Sequence, residues 1–150
     1  MKYVLPFLLF AVINIPTSSS IAQSDSDTDG VRMAVEDYVL GFYKGEADRI
    51  RRSIREDVVK YGFYMPRNKT EYEGSPMSFD EMIAYCDRVK ERNRQTPDDA
   101  PREIEILDVL DKTAVAKLTA TWGVDYLHLA KYDDKWMIVH VLWQSHPPKS

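Results

Sequence analysis

Residues 125–143, Asp125-Tyr126-Leu127-His128-Leu129-Ala130-Lys131-Tyr132-Asp133-Asp134-Lys135-Trp136-Met137-Ile138-Val139-His140-Val141-Leu142-Trp143, read as two strands folded about a tight turn. Asp133-Asp134 is a two-residue hairpin connection, which sets Tyr132 opposite Lys135. Carried outward, that register pairs Leu129 with Ile138 and Leu127 with His140. Leu127, Leu129, Trp136, Ile138, His140 and Leu142 then share one face with Asp125. A second tight turn at Trp122-Gly123 adds Ala114, Ala116, Leu118 and Ala120 to it. The opposite face gathers Lys117, Thr119, Thr121, Tyr126, His128, Val139, Val141 and Trp143. The first face is apolar and lined by small alanines, so it is expected to be the concave interior under the helices, and the mixed face the outside.

Upstream, the spacing alternates between helix and strand. Val31, Ala34, Val35, Tyr38, Val39 and Phe42 recur at helical intervals, and Gly45 is placed to stop that helix. A short helix follows from Glu46, with Ala47, Ile50 and Ile54 on one face and Arg49, Arg51 and Arg52 on a solvated one. Val58 to Met65 is β-branched and aromatic and reads as a strand; Pro66 to Pro76 reads as a loop. Ser78-Phe79-Asp80-Glu81 is a capping box that opens a helix to about Arg92, with Met82, Tyr85, Cys86 and Val89 inward. Strands are expected at about 102–109, 113–121, 124–132 and 135–143. Helix, helix, strand, helix and a four-strand meander make a single α+β domain over 31–145.

The whole-chain numbers agree with one globular domain. The chain has 150 residues, 44% hydrophobic and 29% charged, with six glycines and eight prolines, which excludes a disordered or collagen-like chain. A net charge of −4 with no basic run longer than two residues argues against nucleic acid as a partner. Residues 1–22 read as a secretory signal peptide: Lys2, an apolar stretch from Tyr3 to Ile15 too short to span a bilayer, and small residues at Ser20 and Ala22. The mature protein is then expected to begin near Gln23, to be periplasmic or secreted, and to leave the membrane once the signal is removed. Residues 23–30 are expected to be a flexible acidic leader and 146–150 a polar tail. Cys86 is the one cysteine, so no internal disulfide can form, and its helical spacing makes it a core residue. Asn68-Lys69-Thr70 fits a glycosylation sequon. No motif for a metal or a cofactor is read.

Two polar residues, Asp125 and His140, interrupt the apolar face in diagonal relation on adjacent strands. A carboxylate beside an imidazole in an apolar cavity is a workable acid/base unit, and equally a satisfied buried pair. On the outer face Tyr126, Val139, Val141 and Trp143 form an apolar patch that a homodimer would cover.

The two N-terminal helices, the Met77-Ser78-Phe79-Asp80-Glu81-Met82-Ile83 helix start and the 125–143 segment together resemble the nuclear-transport-factor-2-like superfamily, and within it the exported "putative lumazine-binding" group. The resemblance covers Val31 to Trp143. It implies a cone-shaped barrel, three helices packed in the concave face of a curved, mostly antiparallel sheet, commonly dimeric through the outer face. SnoaL-like cyclases, ketosteroid isomerases, dehydratases and many non-catalytic binding domains share this cone, so the fold does not name the activity. The position of His140 is often Asn in the exported group and His in cyclase-like relatives.

Two readings follow. In the first, an exported protein binds a small apolar or aromatic molecule in the cone, against Tyr38, Phe42, Tyr85, Asp125, Trp136 and His140. In the second, a cofactor-independent isomerase, dehydratase or cyclase uses His140 as acid or base, Asp125 to orient it, and the Tyr38 or Tyr85 hydroxyl to polarise a substrate oxygen.

Overall fold

The Asp133-Asp134 turn forms as its sequence dictates. Both residues take positive φ, 46° and 60°, the backbone of the favoured two-residue hairpin. Tyr132 faces Lys135 and Leu129 faces Ile138, as expected. The computed structural model describes residues 19–147, with side chains from residue 25. The strands are β1 (Ile54–Tyr64), β2 (Glu73–Pro76), β3 (Arg102–Val109), β4 (Thr113–Ala120), β5 (Gly123–Tyr132) and β6 (Lys135–Ser145); the helices are α1 (Ser19–Lys44), α2 (Ala47–Ser53) and α3 (Phe79–Glu91). The sheet runs β2-β1-β6-β5-β4-β3. Its β1–β6 pair is parallel and the other pairs are antiparallel. The expected α+β architecture holds: an open, curved, mixed sheet with three helices on its concave side.

Beyond Ile138 the expected register fails. His128 pairs with His140 and Leu127 with Val141, so Val139 is one residue more than β5 can match. The neighbouring β1 breaks at the same level: Ile54 pairs with Ile138 and Val59 with His140, leaving Arg55 to Val58 opposite Val139. An extra residue in a strand reverses the facing of everything after it. Val141 is fully buried and Trp143 packs on the core, while Leu142 is exposed. Thus the assignments of His140 and Leu142 to the inside, and of Val141 and Trp143 to the outside, are corrected by one bulge. The β4–β5 turn also lies one residue earlier than expected, at Thr121-Trp122, since Ala120 pairs with Gly123. That shift keeps the facing, and Ala114, Ala116, Leu118, Ala120, Asp125, Leu127 and Leu129 are all buried.

Helix α1 buries the expected stripe, Val31, Ala34, Val35, Tyr38, Val39 and Phe42. Gly45 ends it at φ 69°; a side chain there would strike the α3 backbone at Cys86 and Lys90. The capping box of α3 is present in both directions. Cys86 is buried, its Sγ donates to the Gly41 carbonyl at 3.3 Å, and burial pushes the thiol up to about 11, far from a reactive thiolate. Of the α2 arginines, Arg51 and Arg52 are exposed as expected and Arg49 is half-buried, and Arg49 and Arg52 both clamp Asp37 of α1 at 2.6 Å.

Three expectations about segments are corrected. Part of the 66–76 loop is a strand, β2, paired with β1 from Tyr61↔Pro76 to Tyr64↔Glu73. Tyr85 of α3 is turned toward Phe42 but is exposed, not buried. The 23–30 leader is helical throughout, continuous with α1. Asp27 explains that order: it is buried, and it accepts from Lys131 Nζ at 2.6 Å and Trp136 Nε1 at 3.2 Å. The helix start is thereby tied to the β5–β6 hairpin. The export segment expected over 1–22 falls mostly on residues 1–18, outside the described residues.

The Lys131 hydrogen bond holds the Asp27 carboxyl below the usual aspartate range. Its contribution to stability is therefore present above the ordinary aspartate pKa and is lost as pH falls through the lowered one. Asp27→Ala is expected to speed amide hydrogen exchange across residues 25–30 at neutral pH. The difference from the parent protein should vanish in strong acid. Unchanged exchange at neutral pH would show that the helix start does not depend on this pair.

Candidate functional site

On the concave side, a cavity of about 160 Å³ opens between α1, α3 and the sheet. Tyr38 and Phe42 come from α1, Tyr85 from α3, Met77 from the segment before α3, Trp122 from the β4–β5 turn, Lys60 from β1 and Trp143 from β6. The walls are thus almost entirely aromatic. Phe42 stands edge-on to Tyr38, Tyr85 and Trp122, with ring centroids 5.1, 5.5 and 5.8 Å apart, the preferred geometry of aromatic pairs. An engineered cavity of about 150 Å³ accepts a benzene, so this one fits a single ring, with room for more only through the mouth beside exposed Tyr85.

Packing also requires a residue with no side chain. The Trp143 indole lies flat over Gly62 of β1, where any Cβ would fall inside the ring's van der Waals envelope. Gly62 and Trp143 are paired across the parallel strands, so Gly62 is what lets Trp143 form a cavity wall.

The floor is polar and dry. Lys60 Nζ donates to the Tyr38 hydroxyl at 2.6 Å and lies 3.9 Å from Asp125 Oδ1. The Asp125 Oδ2 accepts from Trp122 Nε1 at 2.8 Å. Asp125 Oδ1 has no hydrogen-bond partner among the described residues. Side-chain exposure is 7% for Lys60 and 0% for Asp125. Burial holds the Lys60 amine below the usual lysine range, an effect that Asp125 partly offsets. Burial likewise raises the Asp125 carboxyl, offset in part by Lys60 and Trp122. Both groups are driven toward their neutral forms, the expected response of charges that lose water. Burial, followed by the Asp125 charge, pushes the Tyr38 phenol well above its ordinary value. Nζ also lies 5.2, 5.5 and 5.7 Å from the ring centroids of Tyr38, Phe42 and Trp143. The Phe42 and Trp143 faces attract a cation and add to what the Tyr38 hydroxyl and Asp125 offer the amine.

Of the residues selected from sequence, Tyr38, Phe42 and Tyr85 line this cavity, and Asp125 is buried beneath it. Trp136 does not reach it: its indole is bound to Asp27 and packs on Gly30 at the other end of α1. His140 is on the opposite face, stacked on His128 with centroids 5.1 Å apart. The inward Asp125–His140 acid/base unit therefore does not exist in this fold, for the reason of the Val139 bulge. Sequence reasoning missed Lys60, Met77, Trp122 and Trp143. Lys60 was hidden by its strand: Val59, Tyr61 and Phe63 alternate as a buried face would, yet they are the exposed side. The signal that could have found it was Asp125 itself, a carboxylate on an apolar face that calls for a cation. Among the described residues, no group of His, Cys, Asp and Glu side chains could hold a metal ion.

Comparison with known proteins agrees with this architecture. A family model described as "Putative lumazine-binding" matches residues 26–144. Among solved structures, the chain is similar to an NTF2-like protein of unknown function from Silicibacter pomeroyi, at 16% identity and TM-score 0.62 over 85% of this chain and 100% of that one. An NTF2-like protein of unknown function from Shewanella baltica aligns at 15% identity and TM-score 0.62, over 87% and 99%. A third, with a cystatin-like fold, from Novosphingobium aromaticivorans, aligns at 13% identity and TM-score 0.58, over 87% and 89%. At these identities the likeness establishes the fold. A comparison with curated proteins finds no match.

Gly62→Ala is expected to expel the Trp143 indole from the cavity wall. The cost should be about 1–3 kcal/mol of stability, the usual range for overpacking, read by chemical denaturation, with a red-shifted tryptophan emission. A variant as stable as the parent, with unshifted emission, would refute the role given to this glycine.

Proposed function

The chain belongs to the family described as "Putative lumazine-binding", and from that membership and the cavity together we propose that it is an exported protein that binds one small, flat aromatic molecule in the cone. The observation that carries the reading is the aromatic lining itself. Tyr38, Phe42, Trp122 and Trp143 surround a space the size of one ring, with Tyr85 at its mouth. Such walls bury a planar apolar ligand on both faces, and a few convergent polar groups give it orientation. Lys60 spends one N–H on Tyr38 and has others for an oxygen on the ligand, so the preferred ring carries a carbonyl or acidic oxygen.

Export is proposed from residues 1–22, and a homodimer from the convex face of the sheet. There Val59, Tyr61 and Phe63 of β1, Tyr126 of β5 and Leu142 of β6 are exposed together. Tyr61 and Tyr126 flank Leu142 in the strand register. A contiguous apolar surface of this kind favours a covering partner, and a second copy meets it with the same residues in an isologous contact. Among the described residues, no helix is long and apolar enough to cross a membrane.

Native mass spectrometry of the protein purified from its own host tests these points together. The expected result is a mature chain beginning at Gln23, a dimer mass, and a retained aromatic compound lost in Phe42→Ala. Leu142→Glu should yield a monomer that still holds the ligand. A chain that comes out ligand-free and fails to quench its tryptophan emission with any aromatic carbonyl compound would overturn the binding reading. An unprocessed N-terminus would overturn export alone.

A further inference from the structure

We infer that Lys60 captures an aromatic aldehyde covalently, as a reversible imine at the floor of the cavity. The inference rests on the cavity being the ligand site, and adds to it the class of ligand and the bond it makes.

The geometry that supports it is particular to Nζ. The amine lies at the hydroxyl end of Tyr38 and 5.5 and 5.7 Å from the ring centroids of Phe42 and Trp143, three residues that wall the cavity, so the end of the side chain and not only its stem is at the site. It donates one hydrogen bond, to a tyrosine hydroxyl, in place of a contact-distance ion pair. The nearest carboxyl oxygen, Asp125 Oδ1, is 3.9 Å away and otherwise unpartnered among the described residues. A lysine kept for stability would be better replaced by an apolar residue, because a buried, loosely paired charge costs more than its attraction returns. A lysine end group held among aromatic walls is instead placed as a nucleophile for a ligand in the cavity.

The step balances with the groups present. The Nζ lone pair attacks the aldehyde carbon, the C=O π pair moves to oxygen, and that oxygen takes a proton from the Asp125 carboxyl. The nitrogen then returns a proton to Asp125, leaving a neutral carbinolamine. Asp125 gives that proton to the hydroxyl, which leaves as water while the nitrogen pair forms C=N. The iminium proton goes back to the carboxylate. Amine and aldehyde have become imine and water, with nothing oxidised or reduced. The aromatic walls limit the water that would hydrolyse the product.

The test uses benzaldehyde as probe and benzyl alcohol as its analogue without a carbonyl. The full mature protein is incubated with benzaldehyde and cyanoborohydride near pH 7, and the reduced benzyl adduct is mapped by peptide mass spectrometry. Lys60 is expected to be modified about tenfold or more ahead of the exposed lysines, once per chain, with benzyl alcohol protecting it. Lys60→Arg, and Lys60→Met should the buried guanidinium disturb folding, are expected to abolish the preferred adduct. Both should keep the far-ultraviolet circular dichroism of the parent, so that loss of the adduct is read from folded protein. Benzyl alcohol binding without any preference for Lys60 in the adduct map would overturn the imine and leave the cavity reading standing. Failure of both compounds to bind would overturn the two together.

Discussion

One residue too many in β6 decides what this protein can present to a ligand. Val139 has no counterpart in β5, and on its other side β1 loops out four residues, Arg55, Glu56, Asp57 and Val58, at the same level. Side chains alternate along a strand, so a bulge re-aims all that follows. Trp143 is swung over Gly62 to wall the cavity, Val141 enters the core, and His140 and Leu142 are turned to the convex face. Because β1 pairs with this re-aimed half of β6, Lys60 is carried to the concave side beside Val141. The Trp143 wall, the amine beside it and the exposure of Leu142 on the convex face are therefore consequences of this break in the ladder.

The cluster of Lys60, Asp125 and Tyr38 runs against stability. A dry amine and a dry carboxyl 3.9 Å apart gain less from each other than from water. The apolar remainder of the fold compensates for the cost, with α1 burying Val31, Val35, Tyr38 and Val39 completely against the sheet. Ion pairs elsewhere follow the opposite logic. Asp37 with Arg49 and Arg52 fastens α1 to α2, and Asp27 with Lys131 and Trp136 fastens the start of α1 to the β5–β6 hairpin. The Asp37 pairs keep part of their solvation and hold the two helices together at small expense, while Asp27 and Lys131 are nearly buried but meet at 2.6 Å. Among the described residues, buried polar atoms without a hydrogen-bond partner occur at this floor, in Asp125, in the Trp143 wall, and at His140 on the other face of the sheet.

Much of the architecture was legible from residue pattern. The helical stripe Val31 to Phe42, the stop at Gly45, the Ser78–Glu81 capping box and the Asp133-Asp134 hairpin are local signals, each set by contacts within a few residues. The alternation of β4 and β5 was legible for the same reason, and it survived a misplaced turn because the error preserved the facing. Tyr38, Phe42 and Tyr85 could be placed at the cavity because helix faces follow from spacing. The helical leader was not legible, since Ser24 to Gly30 has no apolar period; its order comes from a buried contact to Lys131, more than a hundred residues away.

The site was only half readable. Asp125 stood out as a carboxylate on an apolar face, and that much sequence determined, together with the α+β class and the hairpin register up to Ile138. Its partner could not be found by counting. His140 had the right type and the right parity until one bulge sent it to the other side, and Lys60 sat in a strand whose alternation reads the wrong way round. Local pattern specifies which residues share a face only while the ladder is regular. Where β1 and β6 meet in parallel, from distant parts of the chain, the pairing is chosen by packing of the whole sheet, and only the tertiary structure could decide that Lys60 and Trp143 face the cavity and His140 does not.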